Sequence, residues 1–161
     1  MGIGYFYDMP IGRMFIAEDG IGISEVSLVD FTEEENYRMS HTIGETNLIR
    51  EAASQLREYF DNKRREFSIR LNPKGTEFQK KVWKALLQIP YGETRSYKEI
   101  AKIIGNEKAS RAVGMANHNN PIMCIIPCHR VIGSNGKLIG YAGGIEVKEK
   151  LLALENVLER K

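Results

Sequence analysis

An apolar run in the second half of the chain ends in a proline, a cysteine and a histidine, within the segment 125–131. A cysteine becomes a nucleophile when a base or a positive charge favours its thiolate, against a reference pKa of about 8.5. His129 directly follows Cys128 and is the nearest candidate base, acting through a water molecule. A carboxylate from elsewhere would orient the imidazole, and the pattern makes Glu155 one candidate. These residue types predict a cysteine nucleophile with a histidine base.

An ordinary structural role is the alternative for this pair. A free cysteine usually behaves as a small buried hydrophobe. We interpret Cys124 in that way, because it lies inside the apolar run 122–126, which predicts a buried strand. On composition alone, Cys128 and His129 would be residues at the end of that strand, so the decision depends on the rest of the chain.

The size and composition of the chain exclude several classes of protein. The chain has 161 residues, of which 42% are hydrophobic and 27% charged, as in ordinary globular proteins. Its formal net charge is +2, so binding to nucleic acid would depend on a local basic patch. No apolar run approaches the roughly 20 residues that span a bilayer, and the first residues lack the pattern of a secretory signal.

The cysteine and histidine content indicates an intracellular protein with free thiols, which we expect in the cytoplasm, or in the nucleus if the source is eukaryotic. Two cysteines four positions apart make a disulfide framework implausible. The two cysteines and three histidines show no zinc-ligand spacing. We therefore expect neither a metal nor another cofactor.

The first part of the chain predicts a small antiparallel sheet with a helix. Three short runs separated by turn residues predict a meander of strands over 5–7, 13–17 and 22–28. The other elements expected here are a polar loop over 36–46, a helix over 48–60 and a strand over 67–71. Thr46 or Asn47 would cap the helix. Turn residues at 72–75 mark the expected domain boundary.

The second part predicts mostly helices. One helix begins near Thr76 and is ended by Pro90 and Gly92. Ser96 and Glu99 have the spacing of a capping box that opens a short helix. A further helix over about 107–119 completes a pattern typical of a helix-turn-helix. The last elements expected are the strand over 122–126, a hairpin or tight turn over 133–136 and a helix with apolar residues from Val147 to Leu158.

Six ordered sequence blocks around the cysteine give the chain a close resemblance to a known family. The stretch PCHRV at 127–131 is the signature of the O6-alkylguanine-DNA alkyltransferases, the methylated-DNA–protein-cysteine methyltransferases. The other blocks are GTEFQKKVW, IPYGETRSY, SRAVGMA with NNP, GYAGG and KEKLLALE, at 75–83, 89–97, 110–121, 140–144 and 148–155. The resemblance covers essentially the whole second half. It is weaker in the first half, where it depends mainly on PIGRMFIA at 10–17 and on the helix end EYFxxxR at 58–64.

The resemblance implies an α/β fold with two small domains. Residues 1–72 would form an antiparallel sheet plus helix, similar to the family's ribonuclease-H-like domain. Residues 73–161 would form a helical, winged-helix-like domain that contains the helix-turn-helix, binds DNA and carries out alkyl transfer. The protein is expected to be a monomer.

The resemblance also implies a mechanism. Cys128 would be the acceptor of the alkyl group, His129 the base that acts through a water molecule, and Glu155 the carboxylate that holds the imidazole. Asn120 would tie the turn beside the cysteine to the helix-turn-helix, and Tyr97 would donate to guanine N3 as the base departs. The expected substrate is O6-alkylguanine in duplex DNA, with O4-alkylthymine left open. The thioether product is stable, so each molecule would act once.

The implied DNA contacts follow from base flipping, because the alkylated atom lies inside a duplex. Arg111 would enter the stack in place of the extruded base. Small residues would let the helix approach the minor groove, and the expected DNA-binding set is Arg111, Ser96, Ala112, Gly114, Ala116 and Arg130. The expected substrate-pocket set is Tyr97, Met123, Val131, Tyr141 and Ala142. Close helix packing is the alternative for the small residues, and a solvated helix face is the alternative for any single lysine.

Three other functions make different predictions. A non-enzymatic alkylation-damage recognition protein, related to the same family, would lack the nucleophilic cysteine, whereas Cys128 is present here. A plain helix-turn-helix regulator would bind a specific sequence in the major groove and form no covalent product. A Cys-His hydrolase would turn over repeatedly, which a single-use stoichiometry excludes.

Overall fold

The computed structural model describes residues 2–138, 141 and 144–157. The predicted pocket residue Ala142 and the predicted helix residue Leu158 lie outside this description. The chain forms two compact units, Met1–Lys74 and Gly75–Lys161. Among the helices of the described residues, none is long and apolar enough to cross a bilayer.

The N-terminal unit is built on a four-stranded sheet with the order β3-β2-β1-β4. Its strands are β1 (Ile3–Met9), β2 (Gly12–Glu18), β3 (Ile23–Leu28) and β4 (Thr42–Ile43). The first three form the predicted antiparallel meander, and β4 pairs with β1 in parallel. Phe6 and Phe15 face each other across β1 and β2 with ring centroids 4.8 Å apart. Gly4 leaves room for the Phe15 ring, since a Cβ there would lie 2.1 Å from Phe15 Cζ.

Helix α2 (Asn47–Phe60) packs against this sheet, as the sequence predicts. Thr46 is its N-cap and accepts a hydrogen bond from the backbone N–H of Ile49 at 3.1 Å. Its buried face carries Ile49, Ala52, Ala53, Gln55, Leu56, Tyr59 and Phe60. The spacing of these residues at three and four positions is the signal that made the helix predictable.

Two predictions for this unit were wrong. Part of the expected loop over 36–46 is helix α1 (Glu34–Ser40), which buries no residue and is stabilised by polar contacts such as Arg13–Glu34 at 2.7 Å. Tyr37 of α1 packs against Phe15 with ring centroids 5.0 Å apart, but a single such contact leaves no periodic signal in the sequence. The segment 67–71 is not a strand; only Leu71 forms an isolated bridge, with Ile23.

The C-terminal unit contains four helices among its described residues, a short 3₁₀ turn and a two-stranded parallel sheet. The helices are α3 (Glu77–Leu86), α4 (Tyr97–Ile103), α5 (Ser110–His118) and α6 (Ile145–Leu154). The sheet pairs β5 (Arg95–Ser96) with β6 (Val131–Ile132), and the 3₁₀ turn is Cys128–Arg130. The predicted tight turn is present, because Gly136 N–H donates to Gly133 O at 2.8 Å.

Helices α4 and α5 follow one another in the chain and pack together, as expected for the predicted helix-turn-helix, and α4 has local signals at its start. Ser96 and Glu99 make the predicted capping box at the N-terminus of α4. Helix α5 begins at Ser110, three residues later than predicted, because 107–109 form a turn and an irregular residue. Trp83 of α3 donates its indole N–H to Ala116 O at 2.8 Å, which fixes α5 against α3.

The apolar run 122–126 is buried but is not the predicted strand. It folds as a tight turn in which Ile126 N–H donates to Ile122 O at 3.0 Å, and Cys124 has a φ of 68°. A run of apolar residues indicates that the segment is buried, but it does not show whether the buried segment is a strand or a compact turn. The turn brings Cys128 back towards α5.

Candidate functional site

Cys128 begins the 3₁₀ turn that follows Pro127, and its side chain is only 4% exposed. Its N–H donates to Ile126 O at 2.8 Å. Its carbonyl accepts from Asn117 Nδ2 at 3.2 Å, so a buried side chain of α5 holds the cysteine backbone. Sequence analysis missed Asn117. The one available indication of its role was its position at the C-terminal end of α5, three residues after Gly114, which was a predicted DNA contact.

Asn120 connects the end of α5 to the same turn. Its Nδ2 donates to Ile126 O at 2.8 Å, and its Oδ1 accepts from Ile122 N–H at 3.0 Å. It also forms a hydrogen bond that favours the Cys128 thiolate. The two amide side chains therefore fix the turn on both sides of the sulfur.

A buried network holds the histidine next to the cysteine. His129 is fully buried, and its Nε2 lies 2.7 Å from Glu155 Oε2 in a hydrogen bond. Glu155, just after α6, also accepts Gly92 N–H at 3.0 Å. Arg130 reaches both carboxylate oxygens, from Nε at 2.8 Å and from Nη2 at 3.0 Å. The carboxylate thus has donors on both oxygens, as a buried charge requires.

The pKa values of Glu155 and His129 follow from their burial and from the charges around them. Burial raises the pKa of Glu155, but hydrogen bonds and charges from His129 and Arg130 outweigh it and hold that pKa well below its usual range. Burial lowers the pKa of His129, and the opposing contact with Glu155 does not fully offset this. Near neutral pH the site therefore holds a carboxylate and a neutral imidazole. When Nε2 carries the proton towards Glu155, Nδ1 is the basic nitrogen of the ring.

The thiol of Cys128 is not ionised by its surroundings alone. Burial raises its pKa, and this effect exceeds the lowering by hydrogen bonds from Asn120 and Tyr141 and by the charge of Lys148. A thiol with a raised pKa needs a base to become a nucleophile. The adjacent neutral imidazole has the protonation state of such a base.

Three further side chains surround the sulfur. Tyr97 begins α4 and is half-buried, and its pKa is raised by burial and then by negative charge at Cys128. The Tyr97 ring faces Gly114, where a Cβ would lie 3.8 Å from Tyr97 Cδ1. Tyr141 is buried and forms a hydrogen bond that favours the Cys128 thiolate. Lys148 of α6 is also buried, and its Nζ donates to Val131 O at 2.5 Å.

Sequence analysis did not single out Lys148. Its signal was spacing, because Lys148 lies three and four positions before Leu151 and Leu152, on the buried face of α6. A lysine at such a position is usually interpreted as an exposed residue, since lysine is rarely buried. Of the remaining predicted pocket residues, Met123 and Val131 are buried.

The exposed part of the helix-turn-helix is basic. Its exposed cations are Lys98, Lys102, Lys108 and Arg111. Ala112 is exposed and Gly114 is partly exposed on α5. The hydroxyl of Ser96, a predicted DNA contact, accepts Glu99 N–H at 3.0 Å as the cap of α4. This face could meet a polyanion without a side chain that reads a base.

Two predicted DNA contacts need correction. Arg130 is buried, and besides Glu155 its guanidinium donates to Ile89 O through Nη1 at 2.7 Å, so it is a partner of the carboxylate rather than a contact for phosphate. Ala116 is also buried, and its carbonyl accepts from Trp83. The burial of Ala116 fits the alternative of close helix packing. Among the described residues, no group of histidine, cysteine and acidic side chains could hold a metal ion.

Comparison with protein families gives matches over both units. Residues 77–157 match the family described as 6-O-methylguanine DNA methyltransferase, DNA binding domain. Residues 5–73 match the family described as 6-O-methylguanine DNA methyltransferase, ribonuclease-like domain. Together the two matches cover most of the chain.

Individual relatives are similar over nearly their full length. The chain is 52% identical over 149 residues to a methylated-DNA–protein-cysteine methyltransferase of Methanosarcina acetivorans, covering 92% of this chain and 95% of the relative. The crystal structure of Mycobacterium tuberculosis O6-methylguanine methyltransferase is similar with a TM-score of 0.87 and 48% identity, covering 96% and 93% of the two chains. A structure of Mycobacterium tuberculosis OGT in complex with DNA has a TM-score of 0.86 and 47% identity, covering 95% and 92%.

Proposed function

Because this chain belongs to the 6-O-methylguanine DNA methyltransferase family, we propose that it repairs DNA by transferring an alkyl group from O6 of guanine to Sγ of Cys128. Methyl transfer from methylated DNA to a protein cysteine is the activity in the names of its close relatives. The observation that carries the assignment to Cys128 is the buried His129–Glu155 pair, with a hydrogen bond at 2.7 Å, whose histidine directly follows Cys128 in the chain. The other cysteine, Cys124, lies in a turn of positive φ with a pKa raised well above its usual value by burial.

The reaction begins with the thiol proton. His129 takes this proton through a water molecule, and Glu155 stabilises the imidazolium that forms. The thiolate then attacks the alkyl carbon, so that a C–S bond forms as the C–O6 bond breaks and its electron pair leaves with guanine. Tyr97 donates its phenolic proton to N3 of the departing guanine and thereby neutralises the leaving group. A raised pKa for Tyr97 keeps the phenol protonated until that step.

Arg130 and the two asparagines hold the reacting groups in position. Arg130 keeps Glu155 ionised and correctly oriented for His129. Asn117 and Asn120 fix the turn that presents the sulfur. The product is a thioether, and among the described residues none is placed to cleave it, so each molecule reacts once.

DNA binding is assigned to the C-terminal domain, residues 73–161. Helices α4 and α5 would lie in the minor groove of a duplex that bears O6-alkylguanine, with the exposed lysines near the phosphates. Ala112 and Gly114 allow a close approach, and Arg111 enters the stack after the nucleotide is extruded. We assign a winged-helix-like fold to this domain and a ribonuclease-H-like fold to the N-terminal domain, residues 1–72.

Mass spectrometry of the intact protein tests the proposal directly. Incubation with one equivalent of a duplex containing O6-methylguanine is expected to add one methyl group, found on the peptide that contains Cys128. Cys128→Ala should abolish the transfer and retain binding to DNA. Cys124→Ala is the matched control and should still accept the methyl group. Methylation of Cys124, or no mass gain in the wild-type protein, would refute the assignment.

A further inference from the structure

The loop between α3 and β5, residues 87–94, contacts the buried charges of the site and has no role in the mechanism above. The carbonyl of Ile89 accepts a hydrogen bond from Arg130 Nη1 at 2.7 Å, and the N–H of Gly92 donates to Glu155 Oε1 at 3.0 Å. Gly92 has a φ of 80°, a conformation that residues with a side chain rarely adopt. The backbone of this loop therefore holds both members of the Arg130–Glu155 pair.

Tyr91 is the side chain of the loop that lies against this pair. The guanidinium carbon of Arg130 lies over the Tyr91 ring, 5.7 Å from its centroid, which is within the range of a cation–π contact. The Tyr91 hydroxyl donates to the carbonyl of Leu154, at the end of α6, at 3.3 Å. Tyr91 is partly buried, and a cation–π contact is stronger where water is partly excluded. The ring and the hydroxyl thus have different partners, so their effects can be separated.

The position of Arg130 decides how the charge of Glu155 is shared. Oε2 of Glu155 is hydrogen-bonded to His129 Nε2 at 2.7 Å and also accepts from Arg130 Nη2 at 3.0 Å. An arginine that is held close to the carboxylate neutralises part of its charge, so less of that charge remains to stabilise an imidazolium. An imidazole that stays neutral can accept the thiol proton.

The ionisable groups that face His129 act on it in different directions. Burial lowers the pKa of His129 most, the hydrogen bond and the charge of Glu155 raise it, and the positive charges of Arg130 and Lys148 lower it. Helices α3 and α6 pack against the turn that contains His129, and the buried residues of α3 are uncharged. Cys128 precedes His129 and would carry the negative charge that proton transfer leaves on the sulfur.

We propose that Tyr91 is a positioning residue whose ring holds Arg130 against Glu155. Arg130 held in this way limits how strongly the carboxylate stabilises a protonated His129, so the imidazole is neutral when the thiol proton of Cys128 has to be removed. The inference rests on the proposed function, because it concerns the same proton transfer. The loop that connects α3 to the helix-turn-helix then also sets the protonation state of the base.

The first experiment compares the full-length wild-type protein with Tyr91→Leu and Tyr91→Phe. Leucine removes the aromatic face, whereas phenylalanine keeps the face and loses only the hydroxyl. The rate of reaction with free O6-benzylguanine is measured between about pH 5 and 9, so that DNA binding does not enter. In Tyr91→Leu the rising part of the pH profile should move upwards, because His129 stays protonated to a higher pH. The rate below neutral pH should fall about threefold, the factor that corresponds to a weak cation–π contact. Tyr91→Phe should keep the wild-type profile.

Gln88→Ala is the matched control, since Gln88 is exposed in the same loop and should have the wild-type profile. A Tyr91→Leu profile that is uniformly lower but unshifted would mean that Tyr91 only stabilises the fold. Equal shifts in Tyr91→Leu and Tyr91→Phe would assign the effect to the hydrogen bond with Leu154. Either result would overturn the proposal. If the wild-type protein itself gained no alkyl group at Cys128, the proposed function would fail instead.

The second experiment does not depend on alkyl transfer. The imidazole resonances of His129 are followed by NMR as the pH is varied, in the wild-type protein and in Tyr91→Leu. His118, which is exposed on α5, serves as the internal reference and should titrate equally in both proteins. A higher pKa for His129 in the variant is expected, and equal values would overturn the proposal. Tyr91→Met also lacks an aromatic face and replaces Tyr91→Leu in both experiments if the latter does not fold.

Discussion

The two units place their charges in different ways. In the N-terminal unit the ion pairs lie at the surface, as in the contacts of Arg13 with Asp8 and Glu34. Among the described residues, the charged or imidazole side chains that are buried, namely His129, Arg130, Lys148 and Glu155, all belong to the C-terminal unit. Exposed pairs contribute little to stability, whereas a buried charge is costly unless it is paired. The concentration of buried charge beside one sulfur indicates that this part of the fold is organised for chemistry.

The cores of the two units also differ in the polar groups that they contain. The N-terminal unit packs aromatic side chains such as Phe6, Phe15 and Tyr37, and among its described residues no charged side chain is buried. In the C-terminal unit, hydrogen bonds from Asn117, Asn120 and Lys148 hold backbone carbonyls of the turn that bears the cysteine. Apolar packing tolerates substitutions of similar volume. Removing one partner from a buried polar network instead leaves the remaining groups without their hydrogen bonds.

Replacement of one buried carboxylate should have the largest effect. Glu155→Gln leaves Arg130 without its charged partner and weakens the hold on His129, so we expect a loss of about 3–5 kcal/mol in the free energy of unfolding and strongly reduced alkyl transfer. Because the folded-state pKa of Glu155 is lowered, its contribution is present above the unfolded-state value of about 4.3 and is lost as the pH falls below it. The stability difference between variant and wild type should therefore narrow in acid.

Urea denaturation over a range of pH measures this difference. Glu149→Gln is the control, since Glu149 is exposed on the same helix and should behave like wild type. Equal stabilities of Glu155→Gln and wild type at neutral pH would contradict the interpretation of the buried network.

An exposed residue of the C-terminal unit should affect DNA repair without affecting the chemistry. Arg111→Ala is expected to slow methyl transfer from duplex DNA by about ten- to hundredfold, since extrusion of a nucleotide costs a few kcal/mol that Arg111 would help to offset. Reaction with free O6-benzylguanine should be nearly unchanged. Single-turnover rates on both substrates test this, and equal losses on both would argue against a stack-filling role.

The smallest effect is expected at a surface ion pair of the N-terminal unit. Glu34 contacts Arg13 and Arg38, and these contacts lower its pKa. Glu34→Gln should change the melting temperature much less than Glu155→Gln, because water and salt partly screen these incompletely buried charges. Calorimetry of both variants at the same pH makes the comparison. A larger change for Glu34→Gln would reverse the contrast between the two units.

Local signals made much of the architecture predictable. The strand meander and helix α2 follow from apolar periodicity, and α4 follows from its capping box. Helix α1 was missed because it buries no residue and only Tyr37 packs against the core, which gives no helical periodicity. The turn over 122–126 was predicted as a strand because a buried turn and a buried strand can have the same run of apolar residues. In the site, Arg130 was assigned to DNA because an arginine is usually exposed, whereas this one has a buried carboxylate partner.

By itself the sequence determined which atoms can react and where helices α2, α3 and α4 begin, because residue type and the local spacing of capping residues are sufficient for both. It placed Cys128 beside His129 in the chain and set the caps at Thr76 and Ser96. Only the tertiary structure decided which distant groups surround the sulfur. Glu155 reaches His129 across 26 positions, and Lys148 reaches Val131 across 17. Such pairings depend on how helices pack around a turn, and the price of burying a charge makes them specific to this fold.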